Sequence, residues 1–238
     1  MDFINKETLK KLKNSRSFFL KNIPFPHIVI DNFLNQQIAE DSLSDFDTID
    51  KGWITYKHYN ENKRGNRNYI NYNSTLSKLT NYLNSDKFMF FLEKLTGYEN
   101  ILADSSLDGG GIHEIKEGGY LNIHTDFQNH TNFPKLKRRL NLLLYFNKNT
   151  KNMKNANLEL WNSNCSKKIQ SIEPILNRCV IFSTLNPSYH GHPQPLITEL
   201  DNSRKSLALY YYTKEKIDLP IVSTNYKPLP TDKLYKKI

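Results

Sequence analysis

The spacing of apolar and polar positions divides the chain into two halves that predict different secondary structure. In the first hundred residues, apolar side chains recur at helical spacing over residues 34–46 and 75–96, and residues 5–15 form a basic segment of helical character. Gly97 follows the second apolar segment, where a glycine commonly ends a helix. In Pro24–Phe33, prolines precede a β-branched apolar run, which predicts a strand. We therefore expect a mainly helical first half with one early strand, and one or two helices over 75–96.

From about residue 110, short apolar runs alternate with clusters of Asn, Asp, Gly and Pro. The runs that predict strands are Gly109–Ile115, Tyr120–Ile123, Leu140–Phe146, Asn157–Trp161, Val180–Ser183 and Ser206–Thr213. Many short strands at this spacing are typical of an all-β sandwich or barrel. The predicted fold class is α+β with a mainly β core, a jelly roll supported by N-terminal helices. We expect a single domain over 1–238: helical support over 1–100, the jelly-roll core over 101–215 and a C-terminal extension over 216–238.

Composition narrows the classes of partner and site. The 238 residues include 33 Lys and Arg against 24 Asp and Glu, a net charge of +9, which favours anionic partners, although most lysines are expected to be solvated surface. Cys165 and Cys179 form no CxxC pair, so we expect free thiols and no thiolate zinc site. No apolar run approaches the ~20 residues of a membrane span. The N-terminus lacks the apolar core of a signal peptide, so a soluble, cytoplasmic protein is expected.

Candidate chemistry begins with His124-Thr125-Asp126. Alternate residues of a strand share a face, so this imidazole and carboxylate would converge on one divalent cation, although a surface hydrogen-bonded pair fits the motif alone equally well. A later Gly- and Pro-bounded segment, Ser188–Pro193, offers a third ligand in His190 or His192. Two imidazoles and one carboxylate from distant strands make the facial triad of non-haem iron oxygenases, which leaves the opposite side of the metal open.

A candidate anion-binding residue follows the second histidine segment. Arg204 lies fourteen residues after His190, at the start of a predicted strand. A guanidinium is a bidentate receptor for a carboxylate, and Ser206, on the same strand face, would add a hydroxyl. The ordered set of HxD, distant His and Arg is far more specific than any one of its parts.

At this point the chain resembles the prolyl-4-hydroxylase-like branch of the 2-oxoglutarate/Fe(II) oxygenase superfamily. The resemblance runs in the family's order through GGGIHEIKEGGYLNIHTDF (109–127), RRLNLLLYFN (138–147), LELW (158–161), NRCVIFST (177–184), YHGHPQPL (189–196) and RKSLALYYYT (204–213). The resemblance implies a double-stranded β-helix. It also implies Fe(II) as the metal, 2-oxoglutarate as co-substrate and O2 as oxidant.

Carried over by position, the resemblance implies roles for particular residues. The implied iron ligands are His124, Asp126 and His190, and the implied 2-oxoglutarate anchor is Arg204. His113, Asn141 and Tyr145 match positions that line the co-substrate pocket in the family. His192 stays open as the alternative third ligand, because strand alternation puts it on the face of His190. Asn155-Ala156-Asn157 stands where relatives carry Gly-Gly, which puts the local turn and the rim of the substrate cleft in doubt.

The implied reaction is hydroxylation of an unactivated C–H bond with release of succinate and CO2. Peptidyl proline is the leading substrate, on resemblance alone. The alternatives are a hydroxylase of an amino acid, sugar or natural product, and a non-catalytic jelly-roll binding module. We expect no membrane partner. A nucleic-acid oxygenase, which the net charge would suit, is a further alternative, although the sequence shows no recognised nucleic-acid motif. The polar, aromatic and aperiodic stretch 53–73, expected to be loop and short strand, is the candidate substrate-facing segment, with an ordinary surface loop as the alternative.

For the remaining basic residues we expect no catalytic role. The run Lys135–Arg139 could steer anions, but we expect a solvated loop with Arg138 or Arg139 turned inward. His27, His58 and His130 have no motif around them and are expected to be structural or surface residues.

Overall fold

Helices dominate the first hundred residues and strands the remainder. The computed structural model describes residues 3–71, 74–184, 187–217, 220 and 222–229. Within these ranges the helices are α1 (Lys6–Leu12), α2 (Arg16–Lys21), α3 (Gln36–Thr48), α4 (Thr75–Leu83) and α5 (Asp86–Thr96), with a 3-10 turn at Asn68–Asn71. The strands are β1 (His27–Ile30), β2 (Ile54–His58), β3 (Glu61–Asn66), β4 (Leu102–Ala103), β5 (Gly111–Ile115), β6 (Tyr120–Thr125), β7 (Leu136–Tyr145), β8 (Leu158–Trp161), β9 (Lys168–Ile172), β10 (Cys179–Ser183), β11 (His190–His192), β12 (Arg204–Lys214) and β13 (Asn225–Tyr226).

Side-chain caps and a glycine mark the ends of three of the helices. The Asn35 side chain accepts a hydrogen bond from the Gln37 amide at the start of α3, and Ser74 does the same for Ser77 at the start of α4. Helix α5 ends at Gly97, which takes a left-handed conformation with φ of 80°. The segment 75–96 is thus two helices. The helical predictions for the first half are confirmed, as is the early strand.

The strands form one antiparallel sheet that curls on itself. Its order is β1-β10-β7-β12-β5-β3-β6-β11-β8-β9, with β2 paired to β3, β4 to β12 and β13 to β6. This curled sheet with helices packed outside is the jelly-roll architecture that the strand spacing predicts. The predicted fold class is confirmed.

The two faces of strand β7 have different environments: one packs in the hydrophobic core and the other faces the cavity inside the curled sheet. Leu140, Leu142 and Leu144 are fully buried in the cluster that also holds the helices' apolar faces. The alternate residues Asn141 and Leu143 line the internal cavity instead. Each buried leucine contributes roughly 1.5–3 kcal/mol to folding. The helices therefore fix the outer face of the sheet and hold the inner face at a set position.

Several elements differ from the sequence-based expectations. The stretch 53–73 contains the regular hairpin β2–β3, and its residues 72 and 73 lie outside the described ranges. The run Lys135–Arg139 is not a solvated loop: β7 begins at Leu136 and Arg138 is fully buried. The sequence does not predict strand β9, because it is short and rich in polar residues. Of the C-terminal extension, residues 218, 219, 221 and 230–238 lie outside the described ranges.

The turn between β5 and β6 depends on its two glycines. Gly118 has a φ of 74°, and a Cβ at Gly119 would lie 2.7 Å from the Asn62 carbonyl oxygen. The backbone of β3 can therefore approach the start of β6 closely here. Both thiols, Cys165 and Cys179, are free and buried. Within the described ranges, every helix is too short or too polar to traverse a bilayer.

Candidate metal centre and its cavity

Three side chains from two adjacent strands converge inside the curled sheet. His124 lies in β6, Asp126 directly follows that strand, and His190 begins β11, where it pairs with His124. His124 Nε2 is 3.6 Å from Asp126 Oδ1, and His190 Nε2 is 3.5 Å from Asp126 Oδ2. One possible ligand atom from each residue lies within 4.8 Å of the others. In the part of the chain that the structure describes, no other group of three His, Cys, Asp or Glu residues meets this condition.

The hydrogen bonds of the two imidazoles use Nδ1 and leave Nε2 of each ring able to bind a cation. His124 Nδ1 lies 2.8 Å from the carbonyl oxygen of Asn122, and His190 Nδ1 lies 2.9 Å from that of Ser188. A carbonyl only accepts, so each Nδ1 carries the proton and each Nε2 keeps its lone pair. Burial lowers the pKa of His190 to about 4, against the opposing effect of Asp126. Both imidazoles are therefore suited to bind a divalent cation.

Asp126 is held by two residues behind it. Asn141 Nδ2 donates to Asp126 Oδ2 at 2.8 Å, and Arg138 Nη2 lies 3.3 Å from Oδ1. Arg138 Nε also donates to Asn141 Oδ1 at 2.8 Å, which closes the triangle. Burial alone would raise the pKa of Asp126, but Arg138 and the imidazoles of His190 and His124 hold that pKa well below its usual value. Such outer partners orient a metal-binding carboxylate and keep it ionised.

A β-bulge in β7 determines which of the two arginines, Arg138 or Arg139, points into the curled sheet. The sequence predicts that one of them does. Tyr211 pairs with Leu140 and Tyr212 with Arg138, so one step on β12 matches two on β7 and Arg139 is the extra residue. A bulge reverses the alternation of side chains on one side of it. Arg138 consequently lies inside, with its guanidinium carbon 3.3 Å from the ring centroid of Tyr210 and 4.5 Å from that of Phe127.

A cavity of about 210 Å³ opens beside the three candidate ligands. Its wall includes most of the residues that the sequence predicts for the co-substrate: His113, Asn141, Arg204 and Ser206. Tyr145 lies behind them: its hydroxyl accepts a 3.1 Å hydrogen bond from Arg204 Nη2. Arg204 Nε donates to the Ala156 carbonyl at 2.8 Å, and the side chain is buried. The structure thus gathers all eight predicted site residues around one space.

His192 lies in the same cavity wall but outside the group of candidate ligands. It is 3% exposed, and neither ring nitrogen has a hydrogen-bond partner among the described residues. His190, not His192, is the residue whose Nε2 approaches Asp126. The alternation of β11 does put both imidazoles on the cavity wall, as the sequence indicates.

Two segments outside the predicted core also line the cavity. The hairpin β2–β3 contributes Tyr56, Glu61 and Lys63, and Glu61 is paired with Lys63 Nζ at 2.9 Å. The C-terminal strand β13 contributes Tyr226, which pairs with His124 across β6 and β13, with ring centroids 5.4 Å apart. Nothing in the sequence around Tyr226 indicates this position. The aromatic and polar character of 53–73 was the signal for the hairpin.

A site of two histidines and one aspartate can support several kinds of metal chemistry, and comparison with known protein families indicates which one applies here. The family described as the 2OG-Fe(II) oxygenase superfamily matches residues 110–212, a range that holds the three candidate ligands and Arg204. The match assigns residues 110–212 to this superfamily. Together with the group of His124, Asp126 and His190, it makes the protein a 2-oxoglutarate-dependent non-haem iron dioxygenase that uses Fe(II), 2-oxoglutarate and O2. No curated protein matches its sequence significantly.

Solved structures of other oxygenases share this fold. A prolyl hydroxylase from Trichoplax adhaerens, in complex with a hypoxia inducible factor oxygen degradation domain peptide fragment, is 16% identical with a TM-score of 0.59, covering 87% of this chain and 91% of its own. A prolyl-4-hydroxylase from Pseudomonas putida is 12% identical with a TM-score of 0.53, covering 85% and 99%. HygX from Streptomyces hygroscopicus, with nickel, 2-oxoglutarate and hygromycin B bound, is 9% identical with a TM-score of 0.52, covering 88% of each chain.

The residues of this dioxygenase fit the groups that its superfamily uses. Two neutral imidazoles and an ionised carboxylate are a suitable donor set for Fe(II). The buried guanidinium of Arg204 lines the cavity, and the buried imidazole of His192 has no hydrogen-bond partner among the described residues, as expected next to a bound anion.

Proposed function

We propose that His124, Asp126 and His190 hold the catalytic iron and that Arg204 holds the far carboxylate of 2-oxoglutarate. The supporting observation is the convergence of two imidazole nitrogens and one carboxylate on the wall of a cavity that Arg204 also lines. This set is the facial triad of the iron oxygenases, which leaves open positions for a chelating 2-oxo acid and for O2. The match of residues 110–212 to the superfamily agrees with this assignment.

When bound, iron and 2-oxoglutarate together activate O2, with one oxygen atom entering the succinate formed as CO2 leaves and the other entering a C–H bond of the substrate. The chain supplies position, charge and exclusion of water. Arg138 and Asn141 keep the Asp126 carboxylate ionised and correctly turned. Because each Nδ1 donates its proton to a backbone carbonyl, each Nε2 has a lone pair that can bind a cation.

Arg204 is suited to select the co-substrate. Its hydrogen bonds to the Ala156 carbonyl and the Tyr145 hydroxyl use two of five N–H groups and fix the plane of the guanidinium. Because the side chain is buried, an ion pair formed with it is less screened by water than one on the surface. Ser206 lies in the same cavity wall, where its hydroxyl can donate to the same carboxylate. The distance between this anchor and the metal would set the length of the acid.

We infer that the substrate is a peptide and that the oxidised residue is proline. The cavity is bordered by the hairpin β2–β3 and the strand β13, so an extended chain can lie between two backbone segments. Tyr56 and Tyr226 present aromatic rings there, which pack well against a saturated ring. The peptide bound to the Trichoplax adhaerens prolyl hydroxylase supports this choice. The hygromycin B bound to HygX makes a small-molecule substrate the competing outcome.

Turnover of 2-oxoglutarate tests the iron and co-substrate assignment. Protein supplied with Fe(II), 2-oxoglutarate and O2 should form succinate, and Arg204→Met should require much more 2-oxoglutarate for the same rate. Arg178→Met is the matched control, because Arg178 binds Asp31 on the outside of the sheet. Equal behaviour of the two variants would contradict the role of Arg204.

A pool of proline-containing peptides tests the substrate. The expected result is a gain of one oxygen atom on a prolyl residue, located by fragmentation in a mass spectrometer. Succinate formation that no peptide stimulates, but that a small polar molecule does, would contradict the peptide proposal and leave the iron assignment intact.

A further inference from the structure

His192 is a buried polar side chain without a protein partner. It is 3% exposed, and both Nδ1 and Nε2 lack a hydrogen bond to the described residues. Buried polar groups in folded proteins are almost always paired, so an unpaired one on a cavity wall indicates a ligand. The imidazole lines the same cavity as Arg204 and Ser206.

The charges around His192 indicate what kind of ligand it would meet. Arg204 and Lys63 line the same cavity as His192, so the imidazole stands among basic groups. Whether neutral or charged, an imidazole has at least one N–H to donate. An N–H donor beside a guanidinium is suited to an anion with two oxygens, since each oxygen can take a separate hydrogen bond.

The backbone fixes where this imidazole points. Gly191 lies so close to β6 that a Cβ there would be 2.7 Å from the Leu121 carbonyl oxygen and 2.8 Å from that of Asn122. His192 pairs with Leu121 across the same two strands. The side chain is thus carried by a backbone segment packed tightly on its neighbour, and little rearrangement is needed for it to bind a ligand.

We propose that His192 is a second binding residue for the far carboxylate of 2-oxoglutarate, which it holds by an N–H hydrogen bond next to the guanidinium of Arg204. This rests on the proposed function, in which Arg204 binds that carboxylate. The second donor fixes the rotation of the carboxylate as well as its position. The histidine that stood as an alternative iron ligand thereby acquires a different role.

The test measures binding, not turnover, in protein loaded with Mn(II) and kept free of O2. Calorimetric titration with 2-oxoglutarate should show a dissociation constant about ten-fold weaker for His192→Ala, the effect of losing one hydrogen bond to a charged group. His192→Asn keeps an N–H donor and should recover part of the loss. Affinity for Mn(II) alone, measured first for each variant, reports whether the fold and the metal centre are intact.

Pyruvate provides the matched ligand, because it has the chelating 2-oxo acid end and lacks the far carboxylate. His192→Ala should bind pyruvate as the unaltered protein does. Equal 2-oxoglutarate affinity in His192→Ala and the unaltered protein would overturn the proposal, as would an equal weakening of pyruvate and 2-oxoglutarate. Failure of the unaltered protein to bind 2-oxoglutarate at all would instead overturn the proposed function, and this assignment with it.

Discussion

The Arg138 guanidinium lies 3.3 Å from the Asp126 carboxylate, and both side chains are buried. The bulge at Arg139 is what places Arg138 on that side of β7. The neighbouring Arg139 lies on the other side and pairs with Glu215 at 2.6 Å, in a more exposed position. Two consecutive arginines therefore offer one substitution beside the metal centre and one control away from it.

We expect Arg138→Met to destabilise the metal-free protein by about 3 kcal/mol, because it leaves the buried Asp126 carboxylate without its cation. Arg139→Met breaks a partly exposed pair and should cost less than about 1 kcal/mol. Unfolding in urea at neutral pH measures both. Equal losses in the two variants would show that Arg138 does not stabilise the centre in the way described.

Gly191 controls the approach of β11 to β6. We expect Gly191→Ala to weaken Mn(II) binding by at least about ten-fold, because the added Cβ would press on the Leu121 and Asn122 carbonyls and displace His190 from His124. Gly118→Ala is the control: Gly118 has a positive φ of 74° but open space around its Cβ position. That variant should lose roughly 1 kcal/mol of stability while its metal affinity stays the same. Unaltered Mn(II) affinity in Gly191→Ala would contradict the tight packing of these strands.

Tyr226 covers one side of His124. We expect Tyr226→Ala to raise the rate at which diethyl pyrocarbonate modifies His124 in the metal-free protein, since His124 is only 5% exposed beneath this ring. Tyr226→Phe should retain the protection. Phe90→Ala removes an exposed ring from the outside of α5 and serves as the control. Peptide mapping of the modified histidine reads the result, and an unchanged rate in Tyr226→Ala would place the C-terminal strand away from the centre in solution.

Three cavity histidines predict how stability depends on pH. Burial lowers the pKa of His190 to about 4 and the pKa values of His113 and His192 well below the usual 6.5. Below about pH 6.5 these imidazoles are therefore protonated in the unfolded chain but stay neutral in the folded protein. Stability from these groups is complete above pH 6.5 and declines as the pH falls from there towards 4. Urea unfolding of the metal-free protein should show this decline, with a smaller slope in His192→Asn. A flat profile between pH 7 and 5 would contradict neutral, buried imidazoles.

The convergence of the candidate ligands could be predicted from the sequence because the residues follow local rules. His124 and Asp126 are two apart on a strand, and Arg204 begins a strand whose alternation is clear, so their faces could be assigned from periodicity. Arg138 could not be assigned, because its side depends on a bulge set by pairing with Tyr211 and Tyr212. The register depends on how β7 and β12 pair, so it cannot be read from the sequence of β7 alone.

Tyr226 could not be predicted for a related reason. Its place depends on the chain returning to the edge of β6, where the Lys227 amide bonds to the Ile123 carbonyl at 2.9 Å and Leu229 packs beside Ile123. These contacts join residues about a hundred positions apart, and a two-residue strand leaves no periodic signal. For the hairpin β2–β3 the sequence predicts only loop and short strand, because β3 is polar throughout and has no periodic pattern.

Metal binding by two neighbouring histidine variants tests the central claim most directly. Calorimetric titration of the metal-free protein with Mn(II), with no 2-oxo acid present, should show an affinity at least about 100-fold weaker for His190→Ala, because a direct ligand is worth more than the outer partners that cost 10- to 100-fold. His192→Ala should bind Mn(II) as the unaltered protein does. If His192→Ala lost the metal and His190→Ala kept it, the proposed centre of His124, Asp126 and His190 would be wrong.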